Sequence, residues 1–138
     1  FEAARSQIVE EIISPALKKD QVVICDRFGE ATVAYQGYAG GVDVKMIKAL
    51  NSLASGGLKP DLTVFLDIDT ATGLKRARIK GADRMEKKDA AYHKKVRRGY
   101  LSIVRKEPGR VKIIKVKENI ADTQKDIRKL VLNVISRY

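Results

Sequence analysis

Long apolar runs are missing from these 138 residues: none approaches the roughly 20 residues of a membrane-spanning helix, and no secretory leader pattern occurs. A soluble, cytoplasmic protein is therefore expected, with no membrane partner. An internal disulfide is excluded too, because Cys25 is the single cysteine, which suits a reducing compartment. It ends the apolar run Val22–Cys25, so a buried structural thiol is expected rather than a nucleophile. Histidine is equally scarce. His93 stands alone beside Lys94 and Lys95 on an expected exposed helix, without the second His or Cys that a metal site needs. The phosphate-cradling pattern G-x-x-x-x-G-K-[ST] is absent as well. Gly40-Gly41 and Gly56-Gly57 lack the lysine and hydroxyl that would complete it.

What is present points to one globular domain over residues 1–138, with 44% hydrophobic and 33% charged residues. The net charge of +11 is uneven. Phe1 to Leu74 carries −3, Lys75 to Lys117 carries +13, and Glu118 to Tyr138 carries +1. A basic cluster of that kind implies an anionic partner, either nucleic acid or a phosphorylated small molecule. A solvated lysine-rich surface is the plainer alternative. The chain opens on Phe1, inside a helical pattern and without Met, so an excerpt of a longer protein is expected.

Apolar residues at Phe1, Ala4, Ile8, Ile12 and Ile13 predict a helix over residues 1–18, with Pro15 near its end. The β-branched run Gln21–Cys25 predicts a strand buried on both faces. A weakly helical stretch, Ala31–Gly41, follows. Asp43 caps a helix to Ser55, which Gly56-Gly57 stops. Leu62–Leu66 is a second strand closing on Asp67, and Asp69 or Thr70 caps a helix through Ala77. Residues 78–86 are charged and aperiodic, a mobile loop. A basic helix, Ala90–Arg105, a third strand, Val111–Val116, and a helix, Asp122–Ser136, complete the chain. Strands separated by helices indicate an α/β fold with a parallel sheet, whose ligands sit beyond the carboxyl ends of the strands. Asp26-Arg27 and Asp67 lie at such ends.

Four groups of residues could carry chemistry. Arg27 has the fork to grip a phosphate, and Asp26 could orient it or reach a metal; a structural ion pair at a strand end is the alternative. Phe1 and Arg5 share a helical face, suited to stacking on a planar heterocycle and bonding its edge, or else they are a core Phe and a surface Arg. Thr32, Tyr35 and Gln36 face one way in a helix and could read the polar edge of a base or sugar, or form a plain polar face. Arg76, Arg78, Lys80 and Arg84 place cations beside Gly81, as phosphoryl transfer from a closing lid requires, or as any basic loop would show.

Taken together, the segments resemble thymidylate kinase, the P-loop enzyme that phosphorylates dTMP with ATP. The resemblance spans nearly the whole chain. "FEAAR" is similar to the family's Phe-x-x-x-Arg helix, and "DRFGEATVAYQG" to its D-R-[YF]-x-x-S-[ST]-x-A-Y-Q-G stretch. "KPDLTVFLDI", "GLKRARIKGADRME" and "YHKKVRRGYL" resemble its fourth strand, its lid and the helix after the lid. The resemblance implies that Phe1 stacks on thymine and Arg5 bonds its edge. It implies that Arg27 holds the dTMP phosphate, with Asp26 near the Mg2+–phosphate centre. Thr32 and Gln36 would contact the base, and Tyr35 would crowd the sugar 2′ position. Arg76, Arg78, Lys80 and Arg84 would form the lid over ATP, with Asp26, Arg27, Lys80 and Arg84 carrying catalysis.

The sequence departs from the family in places. Gly40 stands where an arginine belongs, Ala31 replaces the serine before Thr32, and Lys80 holds a position often filled by a transition-state arginine. Lysine supplies charge without the guanidinium fork. The fold implied is a three-layer parallel-sheet P-loop nucleoside monophosphate kinase, incomplete because the P-loop strand and the second strand are absent. Removing a central strand exposes an apolar seam, so the chain alone is expected to be unstable and inactive, or to be an excerpt. The function implied is the dTMP-binding and lid portion of an enzyme making dTDP from dTMP and Mg2+–ATP, working as a homodimer. The alternatives are a basic nucleic-acid-binding module, disfavoured because no nucleic-acid motif appears, and an inactive kinase-like subunit.

Overall fold

In the computed structural model, which describes residues 1–79 and 88–138, the chain forms two compact units, Phe1–Lys59 and Pro60–Tyr138. The first is helical. Helix α1 (Glu2–Ile8), a π-helical turn π1 (Val9–Ile13) and helix α2 (Ser14–Leu17) run on without a break. Pro15 explains the wide turn: it has no N–H to donate and its ring crowds the preceding turn, so the ladder loosens just before it. The Ser14 N–H accordingly reaches back five residues, to the Val9 carbonyl. The extra residue rotates the apolar stripe. Val9 and Ile13 are buried, whereas Ile8 and Ile12, expected from a plain helical period, remain exposed.

Helix α3 (Gly29–Thr32) continues in the same way into a second π segment, π2 (Val33–Ala39), which buries Val33, Ala34 and Gly37. Gly37 lies against Val44 and Ile47 of helix α4 (Val44–Ala54), where a Cβ would come within 3.0 Å of Val44 Cγ2. Both ends of α4 follow the sequence reading. The Asp43 carboxylate accepts from Met46 N at 2.7 Å. At the other end Gly56 and Gly57 take φ of +58° and +80°, and their N–H groups return to the Leu53 and Ser52 carbonyls. Val9, Ile13, Val33, Ala34 and Ile47 form the core of this unit.

The expected strand Gln21–Cys25 is a correction. These residues are extended but belong to no sheet among the described residues; Val22 is 67% exposed and Ile24 92%. Cys25 is exposed rather than buried. A β-branched run specifies a strand only where a neighbour completes its ladder, and none is paired with it here.

The second unit holds the sheet. Strands β1 (Thr63–Asp67) and β2 (Val111–Lys115) pair in parallel, from Thr63 opposite Val111 to Asp67 opposite Lys115. A parallel pair needs a long crossover, in which lie helix α5 (Thr70–Ile79) and helix α6 (Ala90–Lys106). Helix α7 (Ile120–Ile135) follows β2. Phe65 of β1 stacks on Tyr100 of α6, with centroids 4.6 Å apart, and Val96, Ile103, Val111 and Ile114 are buried. Asp69, Asp89 and Asn119 cap the three helices through their side chains.

Two boundaries differ from expectation. Helix α5 continues to Ile79, so Arg78 lies in helix rather than loop, and α7 starts at Ile120 rather than Asp122, with Asn119 as its cap. The rest of the expected lid falls outside the described residues. The fold class stands as α/β with a parallel sheet, two strands being present among the described residues where three were expected. Among those residues no helix is long and apolar enough to cross a membrane.

Candidate functional site

The extended run after α2 delivers Asp26 and Arg27 to the surface. Arg27 takes φ +66°, a left-handed conformation that a side chain adopts at a cost of about 1 kcal/mol. The kink carries its guanidinium over the Tyr35 ring, 5.4 Å from the centroid. Arg27 is thus held by an aromatic face, and no ion pair joins it to Asp26 among the described residues. Both side chains remain exposed, which leaves the guanidinium fork and the carboxylate available to a phosphate and its counter-ion.

Arg5 occupies a different environment. Its side chain is 10% exposed and ties three helices together. Nη1 donates to both carboxylate oxygens of Glu2, at 2.7 and 2.6 Å, and to Asn51 Oδ1 on α4. Nη2 donates to Thr32 Oγ1 at 2.7 Å and to the Phe28 carbonyl at 3.4 Å. The guanidinium also lies over the Phe28 ring, at 5.3 Å. The aromatic partner of Arg5 is therefore Phe28. Phe1 stands at the head of α1 and is 86% exposed.

The expected group Thr32, Tyr35 and Gln36 is divided by the change from α3 to π2. Thr32 is buried against Arg5, Tyr35 underlies Arg27, and Gln36 is half-buried. The π segment closes tightly at Gly40, where a Cβ would lie 2.6 Å from the Gln36 carbonyl oxygen. Glycine at this position belongs to the local backbone. An open groove of 670 Å³ also marks this unit, between the Ser6–Lys18 stretch and Leu53–Leu58, but none of the expected site residues lines it.

In the second unit Arg76 is exposed on α5, and Arg78 lies within that helix. Lys80 and Arg84 lie outside the described residues. Asp67, which the sequence places at a strand end, is buried and committed to Arg97 of α6. The hydrogen bond and charge of Asp67 hold the Arg97 guanidinium above its usual pKa. The Thr72 backbone N–H holds Asp69 below the usual carboxylate value against an opposing desolvation, with the Thr72 hydroxyl and the Ala71 and Thr70 amides adding to it. Sequence reasoning missed Asn51 and Arg97. Asn51 had a usable signal, a polar side chain one turn after the buried Ile47 on the inward face of α4. Arg97 had none, being one cation among many on a basic helix.

A family model described as thymidylate kinase matches residues 1–127. The thymidylate kinase of Symbiobacterium thermophilum is 43% identical over 137 residues, covering 99% of this chain and 64% of that protein. The thymidylate kinase of Geotalea uraniireducens is 48% identical over 139 residues, 96% of this chain and 65% of that one. Among solved structures, thymidylate kinase from Ehrlichia chaffeensis superposes with a TM-score of 0.74 at 32% identity, over 96% of this chain and 61% of that one. The chain thus spans 64% and 65% of the length of these two curated relatives.

Proposed function

The chain belongs to the thymidylate kinase family, and on that premise we propose that it supplies the dTMP-binding side and the lid of an enzyme converting dTMP and ATP to dTDP and ADP. An oxygen of the dTMP phosphate bonds to the γ-phosphorus of ATP while the bond from that phosphorus to the β,γ-bridging oxygen breaks, in line. The protein contributes positioning and charge neutralisation rather than a covalent intermediate.

The observation that carries the reading is the pair of guanidinium sites in one unit, Arg27 over Tyr35 and Arg5 bonded to Thr32. Arg27 holds the substrate phosphate; its exposure and fork suit that role. Arg5, Thr32 and Gln36 meet the polar edge of thymine, Phe1 stacks on the ring, and Tyr35 crowds the 2′ position. Arg76, Arg78, Lys80 and Arg84 bring positive charge to the transferring phosphoryl. The exposed Asp26 carboxylate suits a place beside a Mg2+ ion, which would supply charge neutralisation at the nucleotide phosphates. The reading includes a single domain, a homodimer and a cytoplasmic location.

Thermal shift tests it on the chain itself, and a coupled ADP-release assay tests it on the gene's full-length product. Stabilisation by dTMP, weaker with dUMP and absent with short DNA, is expected together with dTMP-dependent ADP release. Salt-sensitive binding of DNA without any response to dTMP would overturn it.

A further inference from the structure

Asn51 stands at the point where α1, α3 and α4 meet. Its Oδ1 accepts from Arg5 Nη1, and its Nδ2 donates to the Gly29 carbonyl at 3.0 Å. The two partners settle the orientation of the amide, since a guanidinium only donates and a carbonyl only accepts. Gly29 makes room for it: a Cβ there would sit 3.3 Å from Asn51 Nδ2. Glu2 holds the same Arg5 nitrogen from α1, and Thr32 holds the other from α3.

We propose that Asn51 is a positioning residue for substrate recognition, aiming at the polar edge of the bound base the Arg5 Nε–H, the donor left over once the four Nη hydrogens are committed to Glu2, Asn51, Thr32 and the Phe28 carbonyl. The inference rests on the dTMP reading above and adds to it a residue on α4, a helix that the sequence motifs do not reach. With the Nη groups shared among Asn51, Glu2, Thr32 and the Phe28 carbonyl, the guanidinium plane has one orientation rather than the several that a free arginine samples. Removing Oδ1 leaves Glu2, Thr32 and the Phe28 carbonyl in place but cuts the tie to α4, so the plane tilts away from its set direction. The loss then falls on the base and not on ATP or on the chemical step.

The test uses Asn51→Leu and Asn51→Asp in the gene's full-length product, with melting curves for each. Aspartate keeps an acceptor for Arg5 but loses the donor to Gly29; leucine loses both. For Asn51→Leu, loss of one hydrogen bond to a charged group is expected to raise KM for dTMP about tenfold. KM for ATP and kcat are expected to stay within about twofold, because those steps do not use the Arg5 plane. Asn51→Asp is expected to recover most of the loss. If Asn51→Leu does not fold, Asn51→Ala replaces it. A wild-type protein inactive on dTMP sinks the underlying reading and this inference with it. A wild type active on dTMP sinks the inference alone if the aspartate variant is as impaired as the leucine one, or if KM for dTMP does not move.

Discussion

Arg97 grips Asp67 at two points, Nε to Oδ1 at 2.5 Å and Nη2 to Oδ2 at 2.8 Å. Asp67 closes β1 and Arg97 lies midway along α6, so the pair ties the carboxyl end of β1 to the second helix of the crossover. Asp69, two residues on, caps α5. The end of one strand therefore anchors both helices of the connection.

Asp67→Asn is expected to destabilise the protein by about 2 kcal/mol, because it breaks a paired carboxylate that is only 8% exposed. The cost stays below that of a fully buried pair, since the Arg97 side chain is 44% exposed and water screens it. Arg97→Lys, which keeps the charge and loses the fork, should cost less. Urea melts check both, and equal stability of all three proteins would show that the clamp carries no weight.

Arg27 should separate stability from function. Glycine accepts its φ of +66° without strain and alanine does not, so Arg27→Gly is expected to be more stable than Arg27→Ala by about 1 kcal/mol. Neither variant should retain stabilisation by dTMP. Denaturant melts with and without the nucleotide give both quantities. An alanine variant as stable as the glycine one would mean that the strain relaxes elsewhere.

Restoring the family's arginine at position 40 should harm this protein rather than improve it. The new Cβ would lie 2.6 Å from the Gln36 carbonyl, a backbone atom that cannot swing away. Gly40→Arg is expected to cost about 1–3 kcal/mol as π2 shifts to admit it. A rise in melting temperature would show that the π segment reforms as ordinary helix at no cost.

The N-terminus of α5 should respond to acid. Folding lowers the Asp69 pKa through the Thr72 N–H bond, so its contribution is present above the unfolded value and is lost as pH falls through the folded one. The Thr72 amide resonance is expected to move with a midpoint below the ordinary aspartate value. An Asp69→Asn variant, whose side chain still caps the helix but does not titrate, should show no such movement. A midpoint above the ordinary carboxylate value would reverse the sign.

Much of this was legible residue by residue. Asp43 and Gly56-Gly57 bound α4 where the sequence predicts, because a cap and a left-handed stop act within one turn of themselves. The runs near Leu62–Leu66 and Val111–Val116 are strands, and five motifs in order named the family that the comparisons returned. Arg5 and Thr32 were both legible as separate candidates, and the structure joins them.

The sequence by itself determined the caps of α4 and α5, the approximate element boundaries, the α/β class and the family, all of which rest on local chemistry or on motif order. Tertiary structure alone decided the rest. It left Gln21–Cys25 out of any sheet, since pairing depends on a neighbour rather than on the run itself. It laid the Arg5 guanidinium over Phe28, turned the α1 stripe through a π turn before Pro15, and brought in Asn51 from 46 residues away. Such choices depend on which side chains meet across elements, and no spacing along one segment encodes them.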